Sequence, residues 1–364
     1  MNKIEELINK LCPNGVIHKR LGDLIKIEKG KQLNKTHLFD KYEEDLYPVI
    51  NGGIAPSGYW NEYNYSENLI TISQGGASAG YVNYIETKFW AGAHCYVVTT
   101  VEDEIMYRYV YHFLKSKEVE LQNSQVGAGI PSVSLKDINN LKVAVPPLEI
   151  QSEIIRILDG FTSLITELSS ELKARQQQYE YYRNFFVNKE KNKCLSDILK
   201  IKNGKDYKAL GDGDVPVYGT GGIMTYTSKF AYDKPSVLIP RKGSIDKLYY
   251  VEEPFWNVDT IFYTEINEEQ AIPKYVFYCL ENEHLEELNT AGGVPSLTQA
   301  VLNKVKVYIP SLNEQKEIVS KLDKLYSLVN SNSEGLPAEI EKRQKQYEYY
   351  RDKLLSFKEV QVNE

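Results

Sequence analysis

The chain has 364 residues, 42% of them hydrophobic, with 28 tyrosines and a formal net charge of -7. That length allows two or three domains with real cores, and the acidic balance argues mildly against a protein that coats nucleic acid unaided, because phosphate contacts need a basic surface. With no run of about 18 apolar residues and no apolar signal core in the opening Met-Asn-Lys-Ile-Glu-Glu-Leu, a cytoplasmic chain with no membrane partner is expected.

Cys12, Cys95, Cys194 and Cys279 form no Cys-x-x-Cys pair, and the five histidines show no His-x-x-x-His spacing. Neither a metal site nor a disulfide scaffold is indicated, and the cysteines are expected as buried thiols.

Taken in order, the chain says everything twice. Leu-Gly-Asp-Leu-Ile-Lys-Ile-Glu-Lys-Gly-Lys over 21–31 is echoed by Leu-Ser-Asp-Ile-Leu-Lys-Ile-Lys-Asn-Gly-Lys over 195–205. Each echo reads as a short helical or turn piece, a strand and a glycine loop. Pro-Val-Ile-Asn-Gly-Gly-Ile over 48–54 matches Pro-Val-Tyr-Gly-Thr-Gly-Gly-Ile over 216–223, each a brief strand entering a diglycine turn. The stretches 69–76 and 237–243 pair next, and then Phe89-Trp90 pairs with Phe255-Trp256. Residues 106–119 and 273–288 read as helices. Gly-Ile-Pro-Ser over 129–132 then matches Gly-Val-Pro-Ser over 293–296, and strands over 141–146 and 305–310 close each half.

Each half runs into a long helix. Leu148, Gln151, Glu153, Ile154 and Asp159 recur 164 positions later as Leu312, Gln315, Glu317, Ile318 and Asp323. Further on, residues 175–183 recur as 343–351, changed only from Gln177 to Lys345, with the offset grown to 168. Four residues have therefore entered the second copy. Apolar residues at spacings of three and four, from Ile154 through Leu168 to Tyr179, Tyr182 and Phe186, predict helices whose stripes bury on each other. The step from Leu168 to Leu172 breaks the heptad as a stutter does. In the second copy Gly335 could end one helical segment and Pro337 open the next, so a break or bulge is expected there.

The predicted fold class is α+β. Two similar mixed α/β domains, 1–146 and 191–310, alternate with long antiparallel coiled-coil helices over 147–190 and 311–358, leaving a tail at 359–364, in a pseudo-twofold duplication. A straight helix over 147–190 could reach about 65 Å, enough to act as a ruler.

Catalytic patterns fail on context. Gly-Ala-Ser-Ala-Gly over 76–80 fits a nucleophile elbow, yet the adjoining Tyr-Val-Asn-Tyr-Ile over 81–85 reads as a strand and the second copy lacks the pattern. No phosphate cradle of the Gly-x-x-x-x-Gly-Lys-Ser/Thr type exists, and Glu86-Thr87-Lys88 has no upstream Pro-Asp of the nuclease kind. No catalytic residue is assigned.

Binding is the better expectation for the glycine loops. Asn51, Gly52, Gly53, Ser73, Gln74 and Ser78 in the first half, and Thr220, Gly221, Arg241, Lys242, Ser244 and Lys247 in the second, offer amides, hydroxyls and cations that suit base edges and phosphates. Ordinary hairpin turns are the alternative for each. The frames repeat while the loops differ, which implies two different targets.

The double domain-and-helix order, the helix starts Pro-Pro-Leu-Glu-Ile-Gln-Ser-Glu-Ile and Pro-Ser-Leu-Asn-Glu-Gln-Lys-Glu-Ile, and both Gln-Tyr-Glu-Tyr-Tyr-Arg ends resemble the specificity subunit of type I restriction-modification systems. So does Leu-Cys-Pro-Asn-Gly-Val over 11–16. The resemblance spans essentially the whole chain. It implies two target-recognition domains, each reading half of a split site in double-stranded DNA, and helices that set the gap and dock two modification (methyltransferase) subunits. Gln151, Ile154, Leu168, Tyr179, Tyr182, Gln315, Ile318, Tyr347 and Tyr350 are the candidate spacer and docking residues. It also implies that chemistry lies in partners: adenine N6 methylation with S-adenosylmethionine in the modification subunits, ATP- and Mg2+-dependent translocation and cutting in the restriction subunits. This chain would hold no cofactor and catalyse nothing. Two other readings stay open: an adaptor that binds proteins through tyrosine-rich faces, and an enzyme with a cryptic site near Ser78 or Glu86.

Overall fold

The computed structural model describes residues 2–34, 36, 38–123, 132–243, 245, 247–289, 296–331 and 333–360. The first half runs α1 (Asn2–Leu11), β1 (Ile17–Arg20), β2 (Ile25–Lys29), β3 (Tyr47–Ile50), β4 (Tyr59–Trp60), β5 (Leu69–Ser73), β6 (Val82–Ile85), β7 (Trp90–Ala91) and β8 (Cys95–Val101). Helices α2 (Tyr107–Ser116), α3 (Glu118–Asn123) and α4 (Leu135–Asn140), then β9 (Lys142–Val145), lead into α5 (Leu148–Val187).

The second half repeats the plan: β10 (Lys193–Cys194), α6 (Leu195–Ile198), β11 (Leu199–Asn203), β12 (Val215–Gly219), β13 (Gly222–Thr227), β14 (Ser236–Pro240), β15 (Tyr249–Val251), β16 (Trp256–Asn257) and β17 (Ile261–Ile266). Then come α7 (Pro273–Glu281), α8 (Gln299–Leu302), β18 (Lys306–Val307), α9 (Leu312–Asn330) and α10 (Leu336–Leu355).

The sheets are twins. An antiparallel sheet ordered β2-β8-β5-β6 matches β11-β17-β14-β15, and a small sheet ordered β4-β3-β7 matches β13-β12-β16. In each small sheet one pair is parallel, Val49 facing Trp90 and Val217 facing Trp256. Short antiparallel pairs β1-β9 and β10-β18 join the ends of each half.

Strand alternation explains the layering. Along β8, Tyr96 and Val98 enter the main core with Ile70, Ile72, Tyr109 and Leu114, whereas Cys95 and Val97 face a second cluster with Ile50, Phe89 and Ala91. The four-stranded sheet is thus covered by helices on one face and by the small sheet on the other. In the second half Val237, Ile239 and Phe262 face the helices while Leu238 and Ile261 join Phe255 beneath the small sheet.

Two compact units divide the chain, 1–167 with 340–364, and 168–339. The border falls within α5, between Glu167 and Leu168, at the heptad break, and not at the helix ends that mark domain borders in the sequence. Each unit is therefore finished by helix from both copies: Tyr347 and Leu354 of α10 belong to the first core, Tyr179 and Val187 of α5 to the second. Within the second unit Tyr179 lies edge-on to Tyr326 at 5.7 Å, Lys321 is 5.5 Å from the Phe186 ring and Lys189 pairs with Glu314 at 3.2 Å. Partner numbers fall as residue numbers rise, so α5 and α9 run antiparallel. In the first unit Phe161 stacks on Tyr350 at 5.5 Å.

The second long helix breaks as its sequence predicts, but not where Gly335 marks it. Helix α9 stops at Asn330 and α10 starts at Leu336 with Pro337 in its first turn. Gly335 does not cap α9. A Cβ there would meet the carbonyl oxygens of Ser327 and Ser331, each at 2.7 Å, so glycine lets the linker pass against the last turn of α9. Cys12, Cys95 and Cys279 are buried free thiols, burial pushing Cys95 and Cys279 up to about 12, while Cys194 is half-buried. Among the described residues no helix is long and apolar enough to cross a membrane.

Candidate nucleic-acid interface

The repeated Gly-Lys and Phe-Trp segments, far apart in sequence, meet in space. A Cβ on Gly30 would stand 2.2 Å from the Gly92 oxygen, and one on Gly204 2.0 Å from the Val258 oxygen, so glycine alone lets the backbone come this close to β7 and β16. The next residue then pairs. Lys31 N–H donates to Ala91 O and Lys205 N–H to Asn257 O, both at 2.9 Å. The Trp90 and Trp256 indoles donate back to the Lys31 and Lys205 carbonyls at 3.2 and 2.9 Å. Both lysine side chains are exposed at the edge of the small sheet. Neither lysine is among the candidates that the sequence singles out, although a lysine after the echoed glycine in both copies is the available signal.

Beside Lys31 the first-half loops gather. Asn51 Oδ1 accepts from His94 N–H at 3.0 Å, Gln74 N–H donates to His94 O at 2.8 Å, and a Cβ on Gly52 would meet the Gly75 oxygen at 2.5 Å. Asn51, Gln74 and Ser78 are half-buried, and Gly53 and His94 exposed. Ser73 departs from expectation. It is 4% exposed within β5, its N–H bound to Tyr81 O and its O accepting from Gly80 N–H, so it supports the turn and presents nothing to a partner.

Residues 76–80 form tight turns between β5 and β6, with Gly76 and Gly80 at φ 89 and 90, a conformation that favours glycine. Strand–turn–strand is not the strand–turn–helix that a nucleophile elbow requires.

In the second unit Thr220 and Gly221 form the tip between β12 and β13, and Tyr249 Oη donates to Thr220 O at 2.9 Å. Arg241 comes directly after β14 with its guanidinium 5.1 Å from the Phe262 ring, and its buried Nε finds no acceptor among the described residues. Lys242 and Lys247 are exposed. Ser244 lies outside the described residues. Among the described residues the second unit thus offers Lys205, Arg241, Lys242 and Lys247 at these loops, where the first offers amides and Lys31. Such a cationic set suits phosphate and guanine edges, and amides suit adenine.

The spacer candidates divide by burial. Gln151 and Gln315 are fully buried. Gln151 Oε1 accepts from Met106 N–H at 2.7 Å, and its Nε2 donates to Glu104 O at 2.9 Å and Pro146 O at 2.8 Å. Gln315 repeats this with Ile272 N–H at 2.8 Å, Gln270 O at 3.0 Å and Pro310 O at 2.9 Å. Met106 and Ile272 are the N-caps of α2 and α7, neither of which has a side-chain cap, so each glutamine satisfies a helix start that is otherwise open.

Ile154 and Ile318 are buried in the domain cores and do not serve only a helix-to-helix seam. Leu168 and Tyr350 are half-buried, and Tyr182 departs from the predicted stripe: it is 37% exposed and stacks on Phe186.

Tyr179 and Tyr347, equivalent in the repeated motif, are buried plugs. The Tyr347 hydroxyl lies 3.3 Å from His112 Nδ1, while His112 Nε2 is 2.8 Å from Asp159 Oδ1, which also accepts from Arg108 Nε at 2.8 Å. Burial holds the His112 imidazole below its ordinary range, Asp159 pulling it the other way. Burial raises the Asp159 carboxyl, but bonds from His112 and Arg108 outweigh it and hold the group below the usual carboxylate range. In the second unit the Tyr278 hydroxyl donates to Asp323 and the Tyr179 hydroxyl to Glu281, which Arg183 also meets at 3.0 Å.

Comparison with known proteins returns one family. The model of the type I restriction modification DNA specificity domain matches residues 13–175 and again 188–342. A Haemophilus influenzae protein described as a type I restriction enzyme specificity subunit is 34% identical over 336 residues, covering 82% of this chain and 85% of that protein. An Escherichia coli type I restriction enzyme specificity subunit is 29% identical, with 93% of each chain covered. In fold, the crystal structure of a type I restriction-modification S subunit from M. genitalium matches with a TM-score of 0.68 at 20% identity, covering 94% of this chain and 97% of that one.

Proposed function

Because the chain belongs to the type I restriction-modification DNA specificity family, we infer that it reads a split DNA sequence, each unit taking one half-site, while its long helices set the gap and dock two modification subunits. The observation that carries this reading is the pair of matching frames with unlike loops: the same Gly-Lys-Trp edge stands beside amides in one unit and beside Arg241, Lys242 and Lys247 in the other. Similar frames dock on a repetitive backbone in similar ways, and unlike loops read unlike bases.

In this reading the cations at 205, 241, 242 and 247, and Lys31 in the first unit, hold phosphates, while Asn51 and Gln74 are suited to adenine edges. The exposed Tyr182 and half-buried Tyr350 belong to the docking face for modification subunits. Methyl transfer with S-adenosylmethionine, and ATP- and Mg2+-dependent translocation and cleavage, fall to the modification and restriction subunits. This chain supplies the address.

Helix α5 is 40 residues long, about 60 Å of continuous helix. Four residues inserted beside Leu168 add about 6 Å, more than one base-pair rise of about 3.4 Å. Methylome sequencing of a host with and without the chain reports both half-sites and the gap. The insertion variant should keep the half-sites and lengthen the gap by one or two base pairs. An unchanged gap refutes the spacer role, and an unchanged methylome on removing the wild-type chain refutes the assignment itself.

A further inference from the structure

Each diglycine leads into an isoleucine that no core uses: Ile54 is 61% exposed and Ile223 50% exposed. The surrounding loops differ between the copies, yet this exposed aliphatic side chain is kept in both. Water gives it nothing in return.

Both tips are held in place. In the first unit Ile50 pairs with Ala91, whose carbonyl takes the Lys31 N–H, and the next residue, Asn51, binds His94 N–H while Gly52 packs on Gly75. In the second, Tyr218 pairs with Asn257, whose carbonyl takes the Lys205 N–H, and Tyr249 holds Thr220. There the register shifts between Val217 and Tyr218, which brings Ile223 opposite Tyr218 on the edge strand β13. A bulge of this kind re-aims side chains. Consecutive Ile223 and Met224 both stand in solvent, Met224 57% exposed. The backbone entering each tip is therefore fixed, with a lysine tied to the neighbouring strand: Ile223 lies on β13 itself, and Ile54 lies two residues beyond Gly52 in a loop that Ser57 N–H closes on Val49 O.

We propose that Ile54 and Ile223 are wedges, one per half-site, that enter the base stack and open the step from which a partner enzyme withdraws its target base. This rests on the reading of the chain as a DNA reader. A base modified on its ring or exocyclic atoms must leave the duplex, and apolar side chains inserted between base steps lower the cost of unstacking. The lysines beside each tip match the phosphates flanking such a step. A polar protein surface would explain neither the repeated isoleucine nor the cations around it, which is why duplex DNA is the occupant favoured.

The test uses the full complex with modification subunits, duplexes carrying 2-aminopurine at the target adenine of either half-site for fluorescence, and the matching unmodified duplexes for methylation. Ile54→Ser should lower the fluorescence gain and the methylation rate by about tenfold or more at one half-site only, and Ile223→Ser at the other. Ile54→Leu and Ile223→Leu should leave both near the wild-type level, since bulk and not shape fills a stack. Unchanged fluorescence at both half-sites, in a complex that still binds its sequence selectively, overturns the wedge and leaves the reader standing. Loss of modification subunits from the serine complexes overturns it too, by making the tips protein contacts. Absence of salt-sensitive, sequence-selective binding by the wild-type complex removes the reader and the wedge together.

Discussion

Replacing Gln151 with alanine strips three backbone groups of their partner at once: Pro146 O, which is buried, and Met106 N–H and Glu104 O, which are part-buried. A buried polar group left unpaired costs about 1 to 3 kcal/mol. Water reaching the vacated space would favour the lower figure, so three groups give about 3 kcal/mol. For a domain of this size that corresponds to a fall in Tm of about 6 to 12 °C. Gln315→Ala breaks the matching set around Ile272, Gln270 and Pro310 and should cost as much. The two sets share no partner, so their effects should add in the double variant. Differential scanning calorimetry of the three proteins measures this. A shift under about 2 °C for either single variant would refute the claim that these glutamines fasten the long helices to α2 and α7.

The His112 node gives a pH dependence. A histidine whose folded pKa lies below its unfolded value, near 6.5, adds stability above that value and loses it as pH falls from about 6.5 toward the folded pKa. The first unit should therefore weaken on mild acidification, and His112→Phe should flatten that slope in a series of melts between pH 5 and 8. Gly204→Ala places a Cβ 2.0 Å from the Val258 oxygen and should move the Lys205 segment off β16, costing about 1 to 3 kcal/mol by urea unfolding. Lys205→Ala should weaken DNA binding by the complex and reduce the slope of log K against log salt by about 1, similarly for every sequence; an unchanged slope would place Lys205 away from phosphate.

Much of the fold was legible because the chain repeats itself. The echoes of residues 21–31 and 195–205 became β2 and β11 with their glycine loops, and the four extra residues in the second helix became its break after Asn330. At Ser73 a hydroxyl beside glycines reads like a loop, while its burial depends on a neighbouring strand that local sequence does not announce. Tyr182 shows the same limit. Helical spacing places it beside Tyr179, but only the packing of α7 and α9 decides which tyrosine is covered. The contribution of Lys31 and Lys205 depends on a contact across 59 and 51 residues to Trp90 and Trp256, which no periodicity encodes.

Tyr347 finishing the first unit and Tyr179 the second has a consequence for shortened chains. A fragment ending near Asn188 would have an empty socket at His112 and Asp159 and, on the same polypeptide, a free tyrosine from the same nine-residue motif. Lacking the distant helix that normally closes it, such a half-chain has every reason to close on a copy of itself, forming a true homodimer from what had been an internal pseudo-symmetry. The duplicated gene would then be a covalent record of an association its ancestor made between separate molecules.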